Sequence, residues 1–326
     1  KNVHNKTVMI TGCGGSIGSE LCRQILQISP KKIICIDNSE YHLFKISEEL
    51  KLIKENRNLH TIFQFELSSI NDLDSLTLIF HENEIDTIFH TAAYKHVPLV
   101  EENILSALKN NIFGTENLVK LAYKNLVKNF ILISSDKAVR PTNIMGASKR
   151  VAELICQSLY TNQKNTKFTI VRFGNVIGSS GSVIPLFKKQ IKKGGPITVT
   201  HKDIERYFMT INEAVGLVIQ SSALSEGKDI FILDMGKPVK ILELAFRMAR
   251  LMGYNPTLNK IQNNEFTSSI RIKITGLRSG EKLYEELFVD DKKIETLHPR
   301  IFKTLEKFIN KNELTFILNS LRKDIA

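Results

Sequence analysis

No apolar run in this 326-residue chain approaches the ~20 residues that a membrane-crossing helix requires. The opening KNVHNKTVMITG lacks the charged, then apolar, then small profile of a signal peptide. It also lacks an initiating Met, as a fragment trimmed from a longer protein would. Cysteine is scarce: Cys13, Cys22, Cys35 and Cys156 form no C-x-x-C pair and have no histidine at ligand spacing. That excludes a disulfide framework and predicts no metal site, leaving free thiols of a cytoplasmic protein. Internal repeats and low-complexity linkers are missing as well. Acidic residues are outnumbered, 34 against 45 basic ones, for a net charge of +11. The excess is scattered in pairs such as Lys31-Lys32, Lys188-Lys189 and Lys192-Lys193, without the aromatic-laced stripe of a nucleic-acid protein. An anionic small substrate, an anionic membrane surface nearby, or a solvated surface each accounts for the sign.

What is present is an alternation. Thr7 to Thr11, Lys32 to Ile36, His60 to Phe65 and Thr87 to His90 read as buried strands. Helical patterns fill the gaps, for instance Glu40 to Lys54 and Ile104 to Asn125. Strands and helices at this spacing predict an α/β fold, a Rossmann-type doubly wound parallel sheet with a smaller C-terminal lobe. The division is expected near residue 174, with 1–174 as the dinucleotide-binding domain and 175–326 as mainly the substrate-binding lobe. A division of this kind permits segments to be exchanged between the two. From Asn310 onward the pattern is an amphipathic helix.

The first strand runs into Gly12-Cys13-Gly14-Gly15-Ser16-Ile17-Gly18, and a helical pattern follows. Gly12, Gly15 and Gly18 satisfy three needs at once: a tight turn, close backbone approach to a pyrophosphate, and tight helix packing. A glycine pattern alone is weak, but here Asp37 closes the next strand, where a carboxylate can grip ribose hydroxyls. A carboxylate there repels a 2′-phosphate, so the expected cofactor is NAD rather than NADP. Asp37 could equally cap the following helix, and Glu66 could cap its own or meet the adenine edge. Ala92, just past the end of the fourth strand, is expected to meet the cofactor too.

Phe130 to Arg150, FILISSDKAVRPTNIMGASKR, organises the chemistry. An apolar run, Phe130 to Ile133, stops at Ser134-Ser135-Asp136-Lys137, and chemistry in open α/β sheets sits at such carboxyl ends. Pro141 forbids an immediate helix, and a helical segment then carries Lys149 one turn after Met145.

These residues resemble the extended branch of the short-chain dehydrogenase/reductase family. TGCGGSIG, HTAAYKHVP, ISSDK, MGASK and RFGNVIGSSGSVIP follow that family's order along nearly the whole chain. More narrowly, SSDKAVRPTN-x-MGASKR is similar to the UDP-N-acetylglucosamine 4,6-dehydratases of capsule and protein-glycosylation type. The glycine loop is shared by many activities and adds little specificity. Most of the wider family has tyrosine where this chain has Met145, and a thioether cannot carry a proton away. The resembled subgroup has methionine there and remains active; the opposing reading is a protein that binds cofactor without turnover.

The resemblance implies roles. Ser135 meets the C4 oxygen, Asp136 is the acid at the C6 oxygen, and Lys137 is the base at C5. Lys149 binds the nicotinamide ribose and supplies positive potential. The acceptor of the C4 proton is left open among Ser135, a water and Asp136. Asn175, Arg206 and Arg278 match substrate-contacting places, where an arginine fork suits a diphosphate, although Asn175 could simply form a turn after Gly174; Lys95, just past the fourth strand, is expected to touch sugar or cofactor. Each of the two arginines could instead be engaged in surface ion pairs, and His96 reads as a structural hydrogen-bonder. The expected product is a UDP-4-keto-6-deoxy-N-acetyl sugar with C5 configuration retained. A nucleotide-sugar 4-epimerase is the rival. Family members commonly dimerise through the helices after strands four and five, and many carry membrane tethers ahead of the region seen here.

Overall fold

The computed structural model describes residues 2–160, 165–259, 268–289 and 293–325. A nine-stranded sheet dominates it. Its parallel part is built from β1 (Thr7–Thr11), β2 (Lys32–Asp37), β3 (Ile62–Leu67), β4 (Thr87–His90), β5 (Asn129–Ile133) and β6 (Lys167–Arg172). In space these run 3-2-1-4-5-6, followed by the parallel strand Asp229–Leu233. Ile301–Thr304 and Ile294–Glu295 then close that edge antiparallel. β1 and β4 are neighbours although β2 and β3 lie between them in sequence. That reversal of strand order is the switch point at which such sheets bind ligands.

Sequence pattern and structure agree where burial is complete. All residues of β1 and β4 are buried, as continuous apolar runs between helix layers must be. β3 starts two residues later than its apolar pattern suggests, because it is the sheet edge and half-exposed. The helix predicted over Ile104 to Asn125 is not one helix. It runs as Ile104–Leu108, a π-helical turn Lys109–Gly114, and Thr115–Lys124. The wide turn is tied down by Asn111, whose side chain bonds Tyr94 N and Tyr94 O and donates to Ser148 Oγ at 3.0 Å.

The chain divides into two compact units. The first spans residues 1–173 but takes back 212–234 and 287–326; the second is 174–211 with 235–286. The returns have a plain cause: Asp229–Leu233 extends the sheet beside β6, and Ile301–Thr304 pairs onto it in turn. The second unit has its own core. Helices Val183–Lys192 and Ile241–Leu251 bury Phe187, Ile191, Ala245 and Ala249 with Ile197, Ile270 and Ile272 of a three-stranded sheet.

The amphipathic C-terminal helix forms as Lys311–Asp324, capped by Asn310. Leu314 and Leu318 enter the main core, where the helix packs on Ile144–Tyr160. Arg322 lies over the Phe113 ring and pairs with Glu116 at 2.6 Å, so the tail also meets the helix after β4. No helix among the described residues is long and apolar enough to cross a membrane.

Candidate active site

The glycine loop leaves β1 with Gly12 at φ +68°, a conformation that side chains disfavour. A Cβ at Gly12 would stand 2.7 Å from Ala92 N, and one at Gly18 would stand 2.1 Å from Gly12 O. So the loop is pressed against the end of β4 on one side and its own helix on the other. The helix α1 (Ser16–Leu26) starts from Gly15 in extended backbone, with no side-chain cap and no acid in its first turn. Ser16, Ile17 and Gly18 therefore begin a helix whose positive end is left for an anion. Asp37, buried at the end of β2, accepts from Gly14 N and from Ser39 N, each at 2.9 Å. It braces the loop rather than capping the next helix, whose cap is Ser39. Glu66, half-buried at the end of β3, accepts from Gln64 Nε2.

Cys13 in the loop lies with Cys22 and Cys35, whose sulfurs approach to 3.9 Å. The Cys13 and Cys35 thiols are pushed up: neighbouring thiols and burial disfavour a thiolate, although the bond to Cys35 pulls Cys13 the other way. They are packing thiols.

At the end of β5 the backbone turns through Ser134 and Ser135 into a single 3₁₀ turn, Asp136–Ala138. Ser135 Oγ donates to Asp136 Oδ1 at 2.8 Å, and Lys137 Nζ donates to the same oxygen at 3.0 Å. Asp136 is 1% exposed, and its Oδ2 has no hydrogen-bond partner among the described residues. A buried carboxylate oxygen with nothing to satisfy it is costly, and it calls for a proton or a ligand. The structure thus brings Ser135 and Lys137 onto one oxygen of Asp136 and leaves the other, buried oxygen of that carboxyl without a partner among the described residues.

Lys149 rises from the helix Ile144–Tyr160, and its Nζ donates to Ile133 O at 2.9 Å. Burial pulls its pKa down to about 8, opposed by the charge of Glu153. Gly146 allows this close seating, since a Cβ there would meet Lys137 O at 2.2 Å. Met145 is buried and packed with Val100 and Ala107 in a small apolar cluster. His90, at the end of β4, is locked between Thr11 Oγ1 at 2.7 Å and Thr115 Oγ1 at 2.8 Å. Burial, with Lys149 adding to it, drops its pKa to about 3, so it stays neutral.

Lys95 and His96 are exposed on the segment after β4. Asn175, Arg206 and Arg278 belong to the second unit. Asn175 opens a short strand and donates its backbone N–H to Tyr207 O at 3.1 Å. Arg206 is buried, not a surface ion-pairing residue. Its guanidinium donates to Glu205 O, Leu283 O and Lys282 O, with Glu281 and Glu285 at 3.5 and 3.6 Å. Its first task is to hold the 281–285 segment. Arg278 is exposed, and its backbone N–H bonds Glu281.

The sequence reading missed what supports the cluster. Glu153 and Arg172 are fully buried, and Arg172 is a charged residue ending a strand that is buried from Phe168 onward. That misplaced charge was the available signal.

Residues 8–306 match the polysaccharide biosynthesis protein family. The chain belongs to this family, within the extended short-chain dehydrogenase/reductases. It is 48% identical over 300 residues to the probable polysaccharide biosynthesis protein EpsC of Bacillus subtilis, covering 92% of this chain and 48% of that one. The chain thus spans about half the length of that relative. It is 31% identical over 292 residues to a UDP-N-acetylglucosamine 4,6-dehydratase (inverting) of Campylobacter jejuni, covering 88% and 79%. A UDP-glucose 4-epimerase of Rickettsia canadensis is similarly close, at 32% over 289 residues, covering 87% and 77%. Among solved structures, Pen from Bacillus thuringiensis superposes with a TM-score of 0.81 at 33% identity, covering 98% and 99%.

Proposed function

We propose that the chain is a nucleotide-sugar 4,6-dehydratase that converts UDP-N-acetylglucosamine to UDP-2-acetamido-2,6-dideoxy-4-keto-hexose. The observation that carries this is the open Oδ2 of buried Asp136, with Lys137 held against the other oxygen of the same carboxyl. A 4-epimerase needs only proton transfer at the C4 oxygen. An adjacent acid and amine suit an elimination, which needs both a base and an acid.

NAD fits the loop: the cradle at Gly12 and Gly18 excludes any side chain, the α1 N-terminus is uncapped, and Asp37 stands beside it. When bound, it would supply reversible hydride acceptance from C4 and return to C6. The chain's own residues do the rest. Ser135 holds the C4 oxygen, and the proton lost there passes to Asp136, whose carboxyl oxygen already accepts from the Ser135 hydroxyl. Lys137 is the base that removes the proton from C5. The C6–O bond breaks as Asp136 gives its proton to the departing oxygen, and water leaves. Lys137 then returns its proton to C5. Removal and return by one amine on one face retains the C5 configuration, in contrast to the relative whose name specifies inversion.

Incubation with UDP-N-acetylglucosamine in deuterated water, followed by proton NMR, tests the reading. A new C6 methyl with deuterium at C5 and ring couplings of the retained isomer is expected. A C4 epimer with its hydroxymethyl intact would establish the rival activity, and an unchanged spectrum would leave only binding.

Three further outcomes follow from the site. Gly18→Ala forces a methyl to 2.1 Å from Gly12 O, so NAD affinity measured by calorimetry should fall on the order of 100-fold. Lys149 is charged below about pH 8 and must be charged to favour the C4 oxygen. Turnover should therefore decline as pH rises through that value. Because the lysine's pKa is lowered in the folded chain from 10.5, stability moves oppositely, rising from about pH 8 to 10.5 as the buried amine discharges.

A further inference from the structure

The helix Ile144–Tyr160 grips the end of β5 at two consecutive residues. Lys149 Nζ donates to Ile133 O at 2.9 Å, and one helical turn on, Glu153 Oε1 accepts from Ser134 Oγ at 2.6 Å. Glu153 is 0% exposed. It is kept ionised by Arg172 at the end of β6, whose Nε meets Oε1 at 2.7 Å and whose Nη2 meets Oε2 at 2.6 Å. The same guanidinium turns its other side to Glu306. Arg150 reaches both carboxylates at 2.9 Å, so two cations and two anions close a neutral buried group.

Stability alone does not account for it. Buried ion groups of this kind are often replaceable by apolar residues at no loss. Their placement is specific: Ser134 precedes Ser135, and Glu153 lies one turn from Lys149. The groups that bear on Lys149 from each side are few. From β4 comes His90, neutral between its two threonines. On its own helix are Glu153, then Arg150, and Cys156, whose thiol burial and Glu153 keep protonated. From β6 and the segment after Ile301–Thr304 come Arg172 and Glu306, both acting through Glu153. The end of β5 adds Asp136, already held by Ser135 and Lys137; Glu153, one helical turn along from Lys149 and bonded to Ser134, is the anion whose charge favours the Lys149 cation.

We propose that Glu153 is a positioning residue: set by Arg172 and Glu306, it keeps Lys149 seated as a cation on the Ile133 carbonyl and fixes, through Ser134, where the Ser135-Asp136-Lys137 turn begins. Its consequence for turnover rests on the dehydratase reading, whereas the electrostatic link can be measured without any reaction. The experiment is a pH titration of the Lys149 ¹⁵Nζ resonance in the protein with no substrate or cofactor added, for the parent and for Glu153→Gln, Glu153→Asp and Glu306→Gln.

Glu153→Gln is expected to lower the Lys149 midpoint by about one unit or more. Glu153→Asp should keep it near the parent value, and Glu306→Gln, farther out, should lower it by less. An unmoved midpoint in folded Glu153→Gln overturns the proposal. Should that variant not fold, an unmoved midpoint in Glu306→Gln does so. In the pH profile of kcat, the alkaline limb should move with the resonance. A resonance that moves while the limb stays fixed supports the link between Glu153 and Lys149 and counts instead against the role given to Lys149 in the dehydratase reading.

Discussion

Asp136→Asn is expected to lower turnover of UDP-N-acetylglucosamine about 1,000-fold while leaving the fold intact. The amide is close in shape to the carboxyl and can still accept from Ser135 and Lys137 at the Oδ1 place. It cannot carry a proton from one sugar oxygen to another. The variant also places an amide N–H₂ where the open Oδ2 now lies, which removes the orphaned acceptor without restoring an acid. Rates come from methyl formation by NMR, and folding from thermal melts of both proteins. A variant melting near the parent and retaining full turnover would sink the assignment of Asp136 as the acid and as the carrier of the C4 proton.

Lys137→Ala should also cost turnover heavily, at a different step. With no amine at C5, both the methyl product and deuterium incorporation at C5 should fall by at least about 100-fold. Because the truncation opens space beside Asp136 Oδ1, small primary amines added to the solution should restore part of the rate, more so for those with lower pKa. Asp136 keeps Ser135 as a donor, so the buried carboxyl is not stranded by the change. Undiminished C5 exchange in this variant would move the base to another group. Absence of amine rescue in a folded variant would leave Lys137 as a binding charge only.

Much of this was readable in the chain because the demands fall at fixed spacing. A tight turn, an anion and a packed helix each require glycine at one place, so Gly12, Gly15 and Gly18 stand out. The end of β5 stands out because four small or ionisable residues interrupt a buried run. What escaped depends on residues far apart. Glu306 joins Arg172 across 134 positions, and no local pattern announces that pairing. The π-helical turn at Lys109–Gly114 escaped for another reason. Its apolar spacing is nearly that of an ordinary helix, and the extra width is set by Asn111 clasping Tyr94. That Arg206 holds the 281–285 segment escaped because its carbonyl partners at 282 and 283 are invisible to side-chain patterns. The return of residues 212–234 to the first unit likewise follows from strand pairing, not from composition.

The tail helix Lys311–Asp324 has a consequence for self-association. With Leu314 and Leu318 sunk beside Ile144–Tyr160, and Arg322 latched to Glu116, part of the flank formed by the helices after β4 and β5 is already roofed from within. Two copies that met along that flank would either share the roof as part of their seam or first have to lift it off.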